Sequence, residues 1–391
     1  MTELAFPVFP APDVSVVMVT YGGGELPLRA LNHLRQHTDV PYEVIVVDNA
    51  SPDGTGERLR DAVEGATIVL NEENYGFAAA CNQGAVRAVG RSLCFLNPDA
   101  FVEEGWLPPL VARLVGEPDV GCVVPRLLNL DGTLQEAGSL IGREGVTWAL
   151  GNGDDAADLE FRFPLDVDFG SAACMVVRRV AFEEVGGFDV TYRPAYGEDA
   201  DLCLALSDHG WRTVLEPAVA VRHVRSGMSD VHTADRLIRK NRHRLLRRWT
   251  SRLAGRSWLQ EPAYFPHRIA AVRDHGTPDR ILVIGERLGQ ELADLAERLR
   301  ATVPAARVTV VVDEAGEVGE RLAGAGVEVV AGPRDWSSWF EGRRYQASVV
   351  LAAMDRFDAL LDETQPQAAR RALAGPPADL QTLLAETGVA P

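Results

Sequence analysis

Val14-Ser15-Val16-Val17-Met18-Val19-Thr20-Tyr21, followed by Tyr42-Glu43-Val44-Ile45-Val46-Val47-Asp48-Asn49, decides the fold. Each is a short run of β-branched and aliphatic residues that ends on polar side chains. Such runs lack the strict alternation of a half-exposed strand and fit strands buried on both faces. Between them Leu28, Leu31 and Leu34 recur at helical spacing. Ala66–Leu70 and Arg91–Asn97 repeat the strand pattern. The resulting βαβα rhythm predicts a parallel sheet with helices on both faces. After Pro125 the pattern loosens into Gly-, Asp- and Asn-rich loops from Asn129 to Asp158, where the sheet is expected to become mixed.

The chain has 391 residues, enough for two or three domains. Its net charge of -17 excludes a general nucleic-acid binder, which needs clustered cations. The acidity is uneven, because nine Lys/Arg and no Asp/Glu lie between Arg236 and Arg256. The opening residues show neither a cationic nor an apolar signal-peptide region, and no stretch approaches 18 consecutive apolar residues. Cys81, Cys94, Cys122, Cys174 and Cys203 lack CxxC spacing and sit among apolar neighbours, as buried reduced thiols do. These features lead us to expect a cytoplasmic protein. An oligomer is compatible with the sequence.

The domain boundaries expected are 1–230 for an α/β domain, 231–278 for a basic helical connector broken by Pro262, Pro266 and Pro278, and 279–391 for a second α/β domain. In the last, Arg280–Gly285, Val308–Val312, Val327–Val330 and Ala347–Leu351 are strand candidates. No short internal repeat is present.

In an open α/β sheet, ligands bind beyond the carboxyl ends of the strands. Thr20-Tyr21, Asp48-Asn49 and Asn97-Pro98-Asp99 all fall there. One carboxylate at such a place can simply cap the next helix, as Ser51 or Asp53 can. Three polar ends on one rim favour a crevice. Asp99 suits Mg²⁺, which binds through one or two carboxylates plus substrate phosphates. A second cluster is Gly186-Gly187-Phe188-Asp189, then Glu198, Asp199 and Asp201, then His223. The helix macrodipole accounts for one or two acids at a helix start. Three after a Gly-Gly turn point to a general base. His223, just beyond an apolar strand, can face the crevice as a metal ligand or be structural.

Taken together these segments resemble the family 2 glycosyltransferases, in particular their rhamnosyltransferase-like branch. The matching pieces are Val14–Tyr21, Val46–Ser51, Asn71–Gly84, Phe95–Ala100, Gly170–Met175, Gly186–Asp189, Glu198–Leu202 and Pro217–Ser229, in that order over residues 14 to about 250. The resemblance implies a GT-A fold, α/β with a mixed sheet flanked by helices. It implies an inverting transfer of a sugar from a nucleotide-diphosphate donor, dTDP-rhamnose or a UDP-sugar, to a hydroxyl of a glycan or lipid-linked glycan. It further implies a role in cell-wall or surface polysaccharide synthesis. By position, Thr20, Tyr21, Asp48, Asn49, Asn74, Gly76, Asn82 and Asn97 would serve the donor, and Gly187, Phe188, Asp189 and Tyr196 the acceptor. Asp199 would be the base with Glu198 beside it, and Asp99 with His223 would hold Mg²⁺ or Mn²⁺. Asn97 replaces the first acid of the family's Asp-x-Asp, leaving one carboxylate there.

The C-terminal domain is similar to half of a two-Rossmann glycosyltransferase, but its first turn, Gly285–Gly289, has no GxGxxG. It is expected to be structural or to bind a partner. The segment Arg236–Arg256 reads as an amphipathic helix with Leu237, Ile238, Leu245, Leu246, Trp249 and Leu253 mostly on one side. It is expected to pack on the catalytic domain with a solvated face. The alternatives are peripheral contact with an anionic membrane at its inner face, or direct contact with an acceptor phosphate. Two other functions stay open. A sugar-1-phosphate nucleotidyltransferase needs a cationic triphosphate loop, and Gly22-Gly23-Gly24 has no cation before Arg29. A catalytically inactive sugar-binding scaffold would lack the base or metal residue, yet Asp99, Asp199 and His223 are present.

Overall fold

A computed structural model describes residues 4–224, 231–256, 259, 280–285, 288–303, 306–332, 347–351 and 369–373. The described chain divides into two compact units. The first holds residues 1–141, 145–156 and 166–254, and the second 142–144, 157–165 and 255–391. The boundary therefore differs from the one expected at 230. The basic helix groups with the first unit, and two short segments before residue 166 group with the second. Gly285–Gly289, expected as an unusual first turn, lies partly outside the described residues, as do the prolines at 262, 266 and 278.

In the first unit the opening runs form β1 (Val14–Thr20) and β2 (Tyr42–Asp48), joined by α1 (Leu26–His37). Helix α2 (Thr55–Ala62) leads to β3 (Thr67–Leu70), and α3 (Phe77–Arg87) to β4 (Ser92–Leu96). The short β5 (Ala100–Phe101) and α4 (Leu107–Gly116) precede β6 (Val120–Leu128). Beyond them lie β7 (Leu134–Glu136), β8 (Cys174–Arg178), α5 (Arg179–Glu184), α6 (Glu198–Asp208), β9 (Arg212–His223) and α7 (Val231–Leu253). The sheet runs β9-β6-β8-β4-β1-β2-β3. Strands β4, β1, β2 and β3 are parallel neighbours, while β8 is antiparallel to both β4 and β6. The sheet is thus the mixed one expected. Every residue of β1 and β4 is buried, consistent with helices covering both faces. Val16, Met18, Val44, Val46, Leu31 and Leu34 form much of one core.

Register places the polar strand ends side by side. Thr20 lies opposite Asp48 across β1–β2. At the other end of the sheet, β5 pairs antiparallel with the tail of β9, setting His223 opposite Ala100. The Val224 N–H donates to the Asp99 carbonyl at 3.0 Å. Strand β9 reaches this position through an irregularity between Glu216 and Ala220, where Pro217 offers no N–H to the ladder.

In the second unit β10 (Arg280–Ile284), β11 (Arg307–Val312), β12 (Glu328–Ala331), β13 (Ala347–Leu351) and β14 (Ala369–Leu373) form an all-parallel sheet. The order is β12-β11-β10-β13-β14, with α8 (Gln290–Thr302) and α9 (Gly316–Gly324) as crossovers. This is the smaller Rossmann-like domain expected, with one strand, Ala369–Leu373, that the sequence pattern did not announce. All five cysteines are buried free thiols. Among the described residues no helix is long and apolar enough to cross a membrane.

Candidate active site

Asp48, at the end of β2, is 3% exposed and held from three directions. Thr20 Oγ1 donates to its Oδ2 at 2.7 Å, Ser51 N–H to its Oδ1 at 3.0 Å, and Ser51 Oγ also to Oδ2. A carboxylate has about four acceptor directions, so roughly one is left for an incoming N–H. Thr20 is fully buried and acts as a support for Asp48. Tyr21, by contrast, is 44% exposed beside it. Ser51 does not cap the next helix: its hydroxyl serves Asp48 and accepts from the Gly22 N–H at 2.7 Å. Asp53 does serve the next helix, its Oδ1 accepting from Thr55 N at 3.1 Å.

Asn49 is 2% exposed and knits the neighbouring loop together. Its Nδ2 donates to the Gly76 carbonyl at 3.1 Å, and its Oδ1 accepts from Asn71 Nδ2 at 2.9 Å and Tyr75 N at 3.2 Å. Asn74 Oδ1 accepts from Gly76 N at 2.8 Å. Gly76 has φ 89°, ψ 161°, a conformation essentially reserved for glycine, and starts α3. This loop is tied to the segment before α6: Phe77 N donates to Pro194 O at 2.8 Å, and Arg193 Nη2 to Asn74 O at 2.9 Å. Asn82 spends both ends of its amide on Phe188, donating to its carbonyl at 2.8 Å and accepting from its N–H at 3.0 Å.

The acceptor-side expectation changes more. Phe188 is 2% exposed, and its ring meets Phe95 edge-on at 4.8 Å between centroids, so it is a core residue rather than a contact surface. Gly187, at φ 76°, turns the chain against Asn82. Asp189 pairs with Arg248 at 3.2 Å and accepts from Thr191 N–H. Asp201, 1% exposed, is likewise structural: it accepts from Tyr192 Oη at 3.1 Å, Trp249 Nε1 at 2.8 Å and Arg248 Nη1 at 2.6 Å. Helix α7 is therefore pinned to α6, and it departs from helical geometry at Trp249 itself. Arg252 bonds Asp208 and Ser207, and Arg239 pairs with Asp235, so several of the nine cations are engaged within the fold. Arg236, Lys240 and Arg247 are exposed.

Asn241, 1% exposed on the same helix, donates to the carbonyls of Ala195 at 3.0 Å and Tyr196 at 2.7 Å. It thereby braces the turn that delivers Glu198 and Asp199, in which Tyr196 holds φ 77° and Gly197 φ 93°. Burial and the neighbouring Asp199 charge push the Glu198 carboxyl well above the usual range, and its Oε2 has no partner. Burial raises Asp199 as well, opposed by backbone N–H groups of Ala200 and Ala172. Glu198 is pushed up further than Asp199, by its burial and by the Asp199 charge, so of the two adjacent acids it retains the shared proton and Asp199 carries the charge. Glu136 on β7 completes an acidic group missed in the sequence. Its Oε1 accepts from Ser171 N at 2.8 Å, and burial pushes it up to about 7. Three buried acids shifted together mark a functional cleft better than any one does.

Asp99 and His223 also meet. The Asp99 Oδ1 is buried without a hydrogen-bond partner and lies 3.2 Å from His223 Nε2. Asn97 Nδ2 is 3.4 Å from the same nitrogen, and Gln135 Oε1 is 2.7 Å from Nδ1. An unpartnered buried carboxylate oxygen beside an imidazole nitrogen fits a divalent cation that takes its other ligands from phosphate and water. Among the described residues no cluster of three or more His, Cys, Asp and Glu forms a closed metal cage.

With this geometry in view, residues 15–186 match the family model described as Glycosyl transferase family 2, and residues 164–270 the one described as Glycosyl transferase family group 2. Over this stretch the chain belongs to the family 2 glycosyltransferases, as its motifs imply. It is similar to the O-antigen biosynthesis protein RfbC of Myxococcus xanthus, 30% identical over 297 residues, 70% of this chain and 22% of that protein. It is also similar to the N-acetylglucosaminyl-diphospho-decaprenol L-rhamnosyltransferase of Mycobacterium tuberculosis, 28% identical over 230 residues, 53% of this chain and 75% of that one. The chain spans about a quarter of the length of the first two curated relatives it matches. Among solved structures, a mannosyltransferase from Pyrobaculum calidifontis in complex with GDP-Man and Mn²⁺ aligns with 21% identity and TM-score 0.43, covering 68% of this chain and 72% of that one.

Proposed function

We propose that the first unit is an inverting glycosyltransferase that moves a sugar from a nucleoside-diphosphate donor to a hydroxyl of a glycan or lipid-linked glycan. The observation that carries this reading is that buried Glu136 feels both Asp199 and His223, which ties the acidic pair to the Asp99–His223 pair, in the same unit that holds the carboxylate Asp48. Asp48, with one acceptor direction open, takes an N–H of the nucleotide base, and the exposed Tyr21 ring lies against the nucleoside. The loop around Asn74 and Gly76, fastened by Asn49, borders the donor. Asp99 and His223, with Asn97 adjacent, would hold Mg²⁺ or Mn²⁺, which when bound offsets charge on the departing diphosphate.

Asp199 accepts the proton of the acceptor hydroxyl as that oxygen attacks the anomeric carbon and the bond to the diphosphate breaks on the opposite side. The proton ends on Asp199, and the leaving diphosphate keeps the bonding electrons. One displacement inverts the anomeric centre. Glu198 retains its proton and keeps the pair at a single charge, while Asn241 fixes the turn that aims it. Tyr196 and Gly187 border the acceptor side. The donor sugar in this reading is rhamnose, carried on dTDP; the mycobacterial relative's name supports rhamnose, and the O-antigen relative's name supports a role in surface or cell-wall polysaccharide synthesis. The exposed Arg236, Lys240 and Arg247 suit an anionic lipid surface or lipid diphosphate.

Nucleotide release measured across UDP-, dTDP- and GDP-sugars with Mn²⁺ tests the proposal. Release with one donor class, strongly raised by a glycan acceptor, is expected. Silence with every donor contradicts it, and release of pyrophosphate from a nucleoside triphosphate and a sugar phosphate assigns a nucleotidyltransferase instead.

A further inference from the structure

We infer that Gln135 is a positioning residue: it fixes the ring tautomer of His223 so that an unprotonated Nε2 faces Asp99. The inference rests on the metal reading proposed above and is carried by a chain of hydrogen bonds whose directions can be worked out one after another. The chain begins at the Leu134 carbonyl, which can only accept. Asn129 Nδ2 lies 3.2 Å from it and 3.0 Å from Thr133 Oγ1, whose own proton goes to Asp131 Oδ1 at 2.7 Å. The amide nitrogen of Asn129 is thereby assigned, and its Oδ1 must be the end that meets Gln135, at 3.2 Å from Nε2. Gln135 Nε2 lies a further 3.4 Å from the His223 carbonyl, again an acceptor only.

Both contacts demand that the Gln135 nitrogen point that way, so its oxygen faces His223 Nδ1 at 2.7 Å. An amide oxygen has no hydrogen to give, so Nδ1 carries the ring proton. A neutral imidazole has one N–H, and Nε2 is left with a lone pair. Asn97 Nδ2, at 3.4 Å, agrees with an acceptor there. In this neutral form the lone pair and the unpartnered Asp99 Oδ1 face one another across 3.2 Å. A divalent cation bound by both satisfies the two acceptors together. Gln135 is 5% exposed, so water does not replace it easily. Hydrogen bonds to the remote nitrogen of a metal-bound histidine are worth about 10–100-fold in metal affinity.

The test uses the full chain with histidine labelled by ¹⁵N, at pH 8. Mn²⁺ affinity is read from the free Mn²⁺ electron paramagnetic resonance signal, with and without UDP, and the His223 tautomer from long-range ¹H–¹⁵N correlation without metal. Wild type should bind Mn²⁺ and show Nδ1–H, and His223→Ala and Asp99→Asn should lose the affinity. Gln135→Leu should weaken Mn²⁺ about 10–100-fold and release the tautomer, while Gln135→Glu, which restores an acceptor, should stay near wild type. Loss in His223→Ala with full affinity and unchanged tautomer in Gln135→Leu overturns the role of Gln135 alone. Wild type that binds no Mn²⁺ overturns the metal reading and this inference with it. Should Gln135→Leu fail to fold, an Nε2–H ring in wild type is the contradicting result.

Discussion

Gly56 offers a direct test of how Asp48, the carboxylate proposed to take the donor, is held. It lies inside α2, where replacing glycine by alanine ordinarily adds about 1 kcal/mol of stability. Here a Cβ at Gly56 would stand 2.5 Å from Asp48 Oδ1, 2.6 Å from its Cγ and 3.0 Å from Leu70 Cδ2. Asp48 cannot retreat without lengthening its bonds to Ser51 N at 3.0 Å and Thr20 Oγ1 at 2.7 Å. Each hydrogen bond to a charged group contributes about 1.5–3 kcal/mol, so loss of even one outweighs the helical gain. Gly56→Ala should therefore destabilise the first unit by roughly 1–3 kcal/mol. It should also weaken nucleotide binding about tenfold, the equivalent of ~1.4 kcal/mol. Gly116→Ala, at the end of α4 where an added Cβ meets nothing within 4 Å, is the control and should be neutral or mildly stabilising. Urea unfolding gives the stability and isothermal titration with UDP and dTDP gives the affinity. A Gly56→Ala protein that is more stable than wild type and binds nucleotide equally well would refute the reasoning.

Two further outcomes follow from the acidic side of the cleft. Asn241→Ala removes two buried hydrogen bonds, to the Ala195 and Tyr196 carbonyls, and should cost about 2 kcal/mol; kcat should fall ~10-fold or more with little change in donor KM, as steady-state kinetics would register. Glu136 titrates near the usual 4.5 in the unfolded chain and about 7 when folded. The unfolded state therefore loses its proton first, and the stability this group contributes at low pH is lost as pH rises through that window, by roughly 3 kcal/mol. Glu136→Gln should flatten the decline between pH 5 and pH 8 in urea denaturation, and an identical slope in both proteins would contradict the assignment.

Much of the fold could be read because it depends on local pattern. The runs at Val14–Thr20 and Tyr42–Asp48 are buried on both faces, so nearly every residue carries the signal. Ala369–Leu373, Ala-Arg-Arg-Ala-Leu, has no β-branched residue and was invisible for the same reason. The polar strand ends were readable because topology alone gathers them at one rim. What pattern does not reveal is whether a polar side chain touches a ligand or holds the residue that does. Thr20, Asn49 and Asn82 stand where the motif expects donor contacts, yet their visible partners are Asp48, Gly76 and Phe188. Phe188 belongs to an aromatic core for which its Gly-Gly-Phe-Asp context gives no hint. The links from Arg248 and Trp249 to Asp201 span 47 and 48 residues, and no periodicity announces them. They turn part of a cationic helix, readable as a membrane or phosphate surface, into the brace of the acidic turn.

The central claim is that Asp199 is the base of a sugar transfer carried out by this unit. The most direct measurement is the turnover of Asp199→Asn beside wild type, with the donor identified in the nucleotide-release panel, its acceptor and Mn²⁺. The account predicts a loss of about 10²–10⁴-fold in kcat, with donor affinity retained and the fold intact by circular dichroism. Equal turnover in the two proteins would contradict it.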